Sequence, residues 1–186
     1  MDQAPRPTTP TTSAFSALPA AGPHPEHADE LLLFGQFVGD WDIDGVMLAA
    51  DGTWEHHRAE WLFGWALEGR AIQDVLISPP RAGRGQNETT YEYGTTIRFY
   101  DPDTSTWKIT YISPVARAVH ALVGGRVGND IVLNGRRPDG ALQRWSFSDI
   151  GPDAFRWQGH VSADDGATWA LDEEMHARRR RDRPLG

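Results

Sequence analysis

The sequence predicts an all-β fold, a single antiparallel up-and-down β-barrel of about ten strands entered through a short N-terminal helix. Three observations carry this. From residue 41 onward, strand-like runs are separated by Asn, Asp, Pro and Gly clusters that supply the backbone angles of tight turns. The connections are short, so consecutive strands pair antiparallel. Aromatic residues recur at alternate positions, so one face of each strand is buried.

A chain of 186 residues, 39% hydrophobic and with eight tryptophans, supports one domain with a substantial core and is short for two. Residues 1–28, rich in Pro, Thr and Ala, bury too little to fold and are expected to be mobile. They lack the basic start and apolar centre of a secretion signal. The segment "DELLLFGQFV", residues 29–38, is the one helical signal of any length; Leu32, Leu33, Gln36 and Phe37 are expected to share a side, and Gly39 ends it.

Ten strands follow: 41–49, 53–67, 70–78, 91–100, 107–113, 116–127, 130–137, 141–150, 154–163 and 168–178. Turns at Asp51-Gly52, Glu68-Gly69, Gly128-Asn129, Asp139-Gly140 and Asp165-Gly166 separate several of them. Ten long strands leave exposed edges unless the sheet closes, and a barrel of that size has room for one small ligand. A β-sandwich would need Greek-key crossovers that the short connections do not provide. The barrel is assigned to residues 29–178 and a basic tail to residues 179–186.

The net charge of −8 argues against a general nucleic-acid binder. All basic residues but Lys108 are arginine, a skew that reads as genome composition. The arginine run Arg178 to Arg181 with Arg183 reads as a solvated end balancing an acidic body. The chain has no cysteine, which excludes disulfides, thiolate zinc sites and cysteine nucleophiles and fits a cytoplasmic protein. No apolar run is long enough to cross a bilayer as a helix.

Four passages in order resemble the calycin superfamily, and more narrowly its bacterial lipocalin-like and fatty-acid-binding-protein-like barrels. They are "FVGDWDIDG" (37–45) with its Gly-x-Trp opening, "WLFGWALEGRAIQD" (61–74), "RFYDPDTSTWKITYIS" (98–113) and "SADDGATWALDEE" (162–174). The resemblance implies a barrel with an internal cavity. It does not imply one reaction, since such barrels host carriers, haem proteins and cyclising enzymes.

Alternation assigns an inner face. Strand 53–67 turns His57, Ala59, Trp61, Phe63 and Trp65 inward and leaves His56, Arg58 and Glu60 in solvent. Strand 91–100 aligns Tyr91, Tyr93, Thr95, Ile97 and Phe99. The later strands align Trp107, Ile109 and Tyr111, then Gln143, Trp145 and Phe147, then Phe155, Trp157, Gly159 and Val161, and lastly Trp169, Leu171, Glu173 and Met175. His120 sits in "ARAVHALV", where both faces are apolar and alternation does not place it.

The candidate site is therefore catalytic His57 and Glu173, with Trp61, Phe63, Tyr93, Tyr111, His120, Gln143, Trp145, Trp157 and Met175 binding the ligand. Apolar walls with a few convergent polar groups are typical of small-molecule pockets, and a desolvated His or Glu can serve as acid or base. Structural roles compete: alternate tryptophans pack cores, and an inward Glu173 can pair with an arginine such as Arg144.

The expected function is binding of a hydrophobic or aromatic small molecule, as a secondary-metabolism enzyme of cyclisation, isomerisation or proton transfer. A plain carrier is the alternative. No metal and no cofactor are expected: His56 and His57 point to opposite faces, and no histidine spacing suggests a chelate. Haem is the remaining rival. Nitrobindin-type barrels resemble this chain in strand number and take iron on a late histidine, and His176 in "EEMHARRRR" is the comparable residue, although alternation turns it outward. A homodimer is also expected, with rings such as Tyr100 on outer faces.

Overall fold

The computed structural model describes residues 13–82, 84–85 and 92–180, so Tyr91, the first twelve residues and the arginines at 181 and 183 lie outside the described part. Ten long strands close into a barrel: β2 (Gly39–Leu48), β3 (Trp54–Ala66), β4 (Ala71–Ser78), β5 (Glu92–Asp101), β6 (Thr106–Ser113), β7 (Ala118–Val127), β8 (Asp130–Arg136), β9 (Leu142–Ser148), β10 (Ala154–Ser162) and β11 (Ala170–Arg179). Each pairs antiparallel with its neighbour in sequence, and β11 returns to β2 to shut the sheet. The meander and the closure agree with expectation. No helix of the described residues is long and apolar enough to cross a membrane.

Residues 13–28 depart from the expected mobile lead. They form a short helix α1 (Ser13–Ala17), a two-residue strand β1 (Pro19–Ala20) and a 3-10 turn at Pro25–His27. Strand β1 pairs with Ala66 and Trp65 at the end of β3, beyond the last β2 partner at Phe63, so it covers ladder groups that β2 leaves open. Phe15 is 76% exposed, so this docking comes from the unpaired backbone edge more than from side-chain burial.

Helix α2 (Ala28–Gly35) opens on Asp29 and Glu30, which suit the positive end of the helix dipole. It buries Leu31, Leu33 and Phe34, with Phe37 just beyond it, whereas Leu32 is half exposed. The inward side is thus Leu31, Phe34 and Phe37 with Leu33 beside them, and of the expected set Leu32 and Gln36 face outward. Phe34 and Phe37 enter the barrel and meet Trp107, Phe147, Phe155 and Phe63 at ring separations of 4.7 to 5.8 Å. This end of the barrel is filled solid by aromatic rings.

Residues 179 and 180 are fixed to the same place. Arg179 donates to the carbonyls of Gln36 (2.9 Å), Val38 (2.8 Å) and Pro152 (2.7 Å), and its guanidinium lies 4.1 Å from the Trp41 ring centroid. Gly39 makes the approach possible: its φ is +126°, and a β-carbon there would stand 2.7 Å from Arg179 Nη1. Arg180 pairs with Asp42 at 2.5 Å. The first residues assigned to the basic tail are therefore anchors of the barrel and not a free end.

Three assignments of face are corrected. On β5 the buried residues are Gly94, Thr96 and Arg98, while Tyr93 is 43% and Phe99 49% exposed. The inner face is the opposite of the expected one, and Tyr93 points away from the interior. Tyr100, expected outside, packs against Trp107. On β11, Glu173 lies opposite Gly159 while Leu171 lies opposite His160, so Asp172 is an extra residue. A bulge of this kind reverses alternation: Glu173 and Met175 face in as expected, but Trp169 lies over the outward Arg144, 4.0 Å from its guanidinium. Glu60 is on the outer face yet buried, gripped by the Arg81 backbone amide (2.8 Å) and side chain (2.6 Å). Burial alone would raise its carboxyl, but Arg81 and Arg180 outweigh that and hold it below the usual range.

The β10–β11 hairpin is tied by Asp164, which accepts from the Thr168 hydroxyl (2.6 Å), the Thr168 amide (2.9 Å) and the Ser162 hydroxyl (2.7 Å). Those bonds, the Thr168 hydroxyl first, lower its carboxyl from 3.8 to about 2. A depressed carboxyl contributes stability above the unfolded value, and that contribution is lost as pH falls from 3.8 through about 2. Hydrogen exchange should show the Thr168 amide losing protection over that window while the β2–β3 ladder keeps its own.

Candidate functional site

Above the aromatic plug, the other half of the barrel holds a cavity of about 150 Å³. Its walls are Trp61, Asp74, Leu76, Thr96, Arg98, Tyr111, His120, Arg137, Gln143, Trp145, Trp157, Asp172, Glu173 and Met175. Eight candidates from the sequence thus meet here: Trp61, Tyr111, His120, Gln143, Trp145, Trp157, Glu173 and Met175. Phe63 belongs to the packed half, 4.9 Å from Trp61 and 5.8 Å from Phe37 in ring separation. Tyr93 is on the outside. His57 does not line the cavity but stands behind Glu173 toward its rim, its Nε2 3.3 Å from Glu173 Oε1 and without a hydrogen-bond partner.

That last pair depends on a gap in the neighbouring strand. Gly45 on β2 lies opposite His57, and a β-carbon there would sit 2.6 Å from His57 Nε2. The glycine that closes the "FVGDWDIDG" passage therefore makes room for the imidazole to lie over the strand and reach Glu173. Glu173 pairs with this histidine, while Arg144 donates to Asn134 at 3.0 Å on the outer face.

At the floor, Asp74 and Arg98 form an ion pair, each 2% exposed. Burial pushes the Asp74 carboxyl up and the Arg98 guanidinium down, and each partner's charge limits the other's displacement. Arginine retains its proton under such pressure. The guanidinium lies 4.8 Å from the Phe34 centroid and 5.3 Å from that of Phe63, so the plug supplies its apolar side. Trp61 and Thr96 favour the Asp74 carboxylate electrostatically, yet the indole Nε1 has no partner in hydrogen-bond geometry.

Nearer the mouth, the Tyr111 hydroxyl donates to Glu92 at 2.7 Å. Burial first, and the Glu92 charge second, push that phenol far above its ordinary value, so it remains a donor. Its ring stacks on His120 at 5.7 Å, and Trp145 stands edge-on to Tyr111 at 5.6 Å and to His120 at 6.1 Å. Burial, and then the Arg137 charge, lower the His120 imidazole below 6.5, which leaves it neutral at pH 7. Arg137 itself pairs with Asp172, the residue that the bulge turns inward.

Several wall atoms have no partner in the protein. They are Trp61 Nε1, Arg98 Nε and Nη1, Arg137 Nε, His120 Nδ1 and both amide atoms of Gln143, whose residue is 1% exposed. Buried polar groups are nearly always satisfied, so this concentration in one cavity is the mark of a site built for something polar. His176 is on the outer face, 2.9 Å from Glu174, and is not placed to hold iron inside the barrel. A cavity of this size does not accommodate a porphyrin. Among the described residues no three metal-binding side chains cluster.

Sequence reasoning missed Asp74, Arg98, Arg137 and Asp172. Asp74 had a signal: it interrupts the apolar alternation of Ile72 and Leu76, and Arg98 follows on the adjacent strand, where Asp74 lies opposite Thr96. Opposite charges on neighbouring strands at such a diagonal make an interior pair.

No family model matches the sequence, and no curated protein sequence matches it. Solved structures do match in shape. Rv2717c from M. tuberculosis superposes with a TM-score of 0.58 at 13% identity, over 83% of this chain and 99% of its own. The S-type phycobiliprotein lyase CPES from Guillardia theta superposes with 0.54 at 12% identity, over 82% of this chain and 93% of its own. By its closed ten-stranded meander and these likenesses, the chain has the antiparallel β-barrel fold that these two proteins share.

Proposed function

We propose that the protein binds a single-ring small molecule in the upper half of the barrel and transfers a proton on it, with His57 and Glu173 as the acid–base pair. One observation carries the binding: a closed-bottomed cavity whose buried polar atoms have no protein partner. Its volume sets the size. Cavities of about 150 Å³ admit benzene, whereas drug-sized ligands need about 300 Å³ or more. The flat walls of Trp61, Trp145 and Trp157 suit a planar guest.

The catalytic part rests on the His57–Glu173 contact at the rim. The contact is not in hydrogen-bond geometry, so a small turn of either side chain is needed first. Imidazole and carboxylate then pass a proton between them and a bound molecule, which serves isomerisation or cyclisation without a cofactor. A lyase among the proteins of similar shape is in keeping with an enzyme on this fold. A carrier is the second reading, favoured by Tyr111 being committed to Glu92 rather than to the cavity.

Native mass spectrometry of protein from its own host should reveal a bound molecule of one ring. That molecule is then the substrate for the test. Glu173→Gln is expected to fold and retain it but to turn it over at least ~100-fold more slowly. Turnover unaltered in both Glu173→Gln and His57→Ala sinks the assigned pair. A molecule that survives hours with wild-type protein establishes the carrier instead.

A further inference from the structure

We infer that the cavity selects an uncharged ring compound bearing a carbonyl-type acceptor, and that it rejects carboxylates and amines. This rests on the reading that the cavity holds a ligand. The argument is a balance of donors, acceptors and charge.

The unpartnered wall atoms are mostly donors. Arg98 offers three N–H bonds on Nε and Nη1, Arg137 one, Trp61 one and Gln143 its amide nitrogen. The unpartnered acceptors are Gln143 Oε1 and, in one tautomer, His120 Nδ1. A guest must therefore bring acceptors, or leave buried donors unsatisfied with their desolvation uncompensated. An ammonium, the form an alkyl amine takes at pH 7, brings none.

Charge excludes the obvious acceptor, a carboxylate. Both guanidiniums already have carboxylate partners, Arg98 in Asp74 and Arg137 in Asp172. Glu173 adds a third acid, opposed by a histidine rather than by an arginine. With three acids against two guanidiniums, an entering anion gains no uncompensated positive charge, and it loses its own hydration. A ketone, amide or lactone oxygen accepts the same hydrogen bonds without that cost.

Position along the barrel orients the guest. Trp61 and His57 lie four residues apart on β3, about 13 Å of strand. Arg98 touches the plug through Phe34 and Phe63, so the strongest donors are at the floor and the acid–base pair is at the rim. The carbonyl oxygen goes in first, and the carbons beyond it face the rim.

The test uses the full-length protein and four matched probes: acetophenone, ethylbenzene, benzoate and benzylamine. Binding is followed by fluorescence of the wall tryptophans and by calorimetry. Acetophenone is expected to bind at least tenfold tighter than each of the others. In Asp74→Leu/Arg98→Met, which removes the floor donors, its advantage over ethylbenzene should fall to under threefold. Equal affinity for acetophenone and ethylbenzene, or a preference for benzoate or benzylamine, overturns the selectivity and leaves the ligand site standing. If none of the four binds, the cavity is not a ligand site and both readings fall. The wild-type series decides the matter even if Asp74→Leu/Arg98→Met does not fold.

Discussion

Arg98→Met is expected to destabilise the barrel by about 3–5 kcal/mol, because it leaves Asp74 as a buried carboxylate with no counter-charge. The double variant Asp74→Leu/Arg98→Met should recover most of that loss, since replacing both buried ions with apolar side chains is often neutral or better. Urea unfolding of the wild type, the two single variants and the double variant gives the coupling directly. A double variant no more stable than Arg98→Met would mean that the guanidinium matters for its packing between Phe34 and Phe63 rather than for its charge. The same variants carry a functional signature: even the rescued double lacks the floor donors, so it should keep its fold and lose affinity for acceptor-bearing ligands.

Phe37→Ala has an expected cost of similar size, about 3–5 kcal/mol, through loss of buried ring area and the void left behind. Phe37 is 1% exposed and sits among Phe34, Trp41, Phe63, Phe147 and Phe155, whose packing leaves little room for collapse. If the variant still folds, the void adjoins the floor of the cavity through Phe63 and Arg98. It should then accept a two-ring probe such as naphthalene that the wild type excludes. Fluorescence titration of both proteins measures this; exclusion by both, with the expected stability loss, would show that the floor separates plug from cavity even without the ring.

Much of the fold was legible because turn chemistry and alternation are local. Dipeptides such as Asp51-Gly52 and Gly128-Asn129 bound the strands to within a few residues, and ten strands with short links leave few topologies. Most of the cavity wall was legible for the same reason. What failed was alternation where charge or an extra residue breaks it. On β5, Tyr93, Ile97 and Phe99 look like an inner face, but the barrel instead turns Thr96 and Arg98 inward, because Asp74 across the hairpin neutralises the arginine. An apolar set on the outer surface gives no warning of this. On β11, the inward Asp172 and the outward Trp169 follow from one bulge, which depends on how β10 pairs with β11 and not on either strand alone. Likewise Arg179 reads as part of a charged tail until the carbonyls it serves, from residues 36, 38 and 152, are brought together in space.

The seam between β2 and β11 joins residues 39–48 to residues 170–179. Such a pairing is among the most distant the chain can make, and sheets built on distant pairings fold slowly. During synthesis the early strands must wait, their apolar faces uncovered, until residue 179 has left the ribosome. A nascent chain of this kind is a natural client for chaperones, and truncation before Arg179 should yield aggregates rather than a smaller barrel.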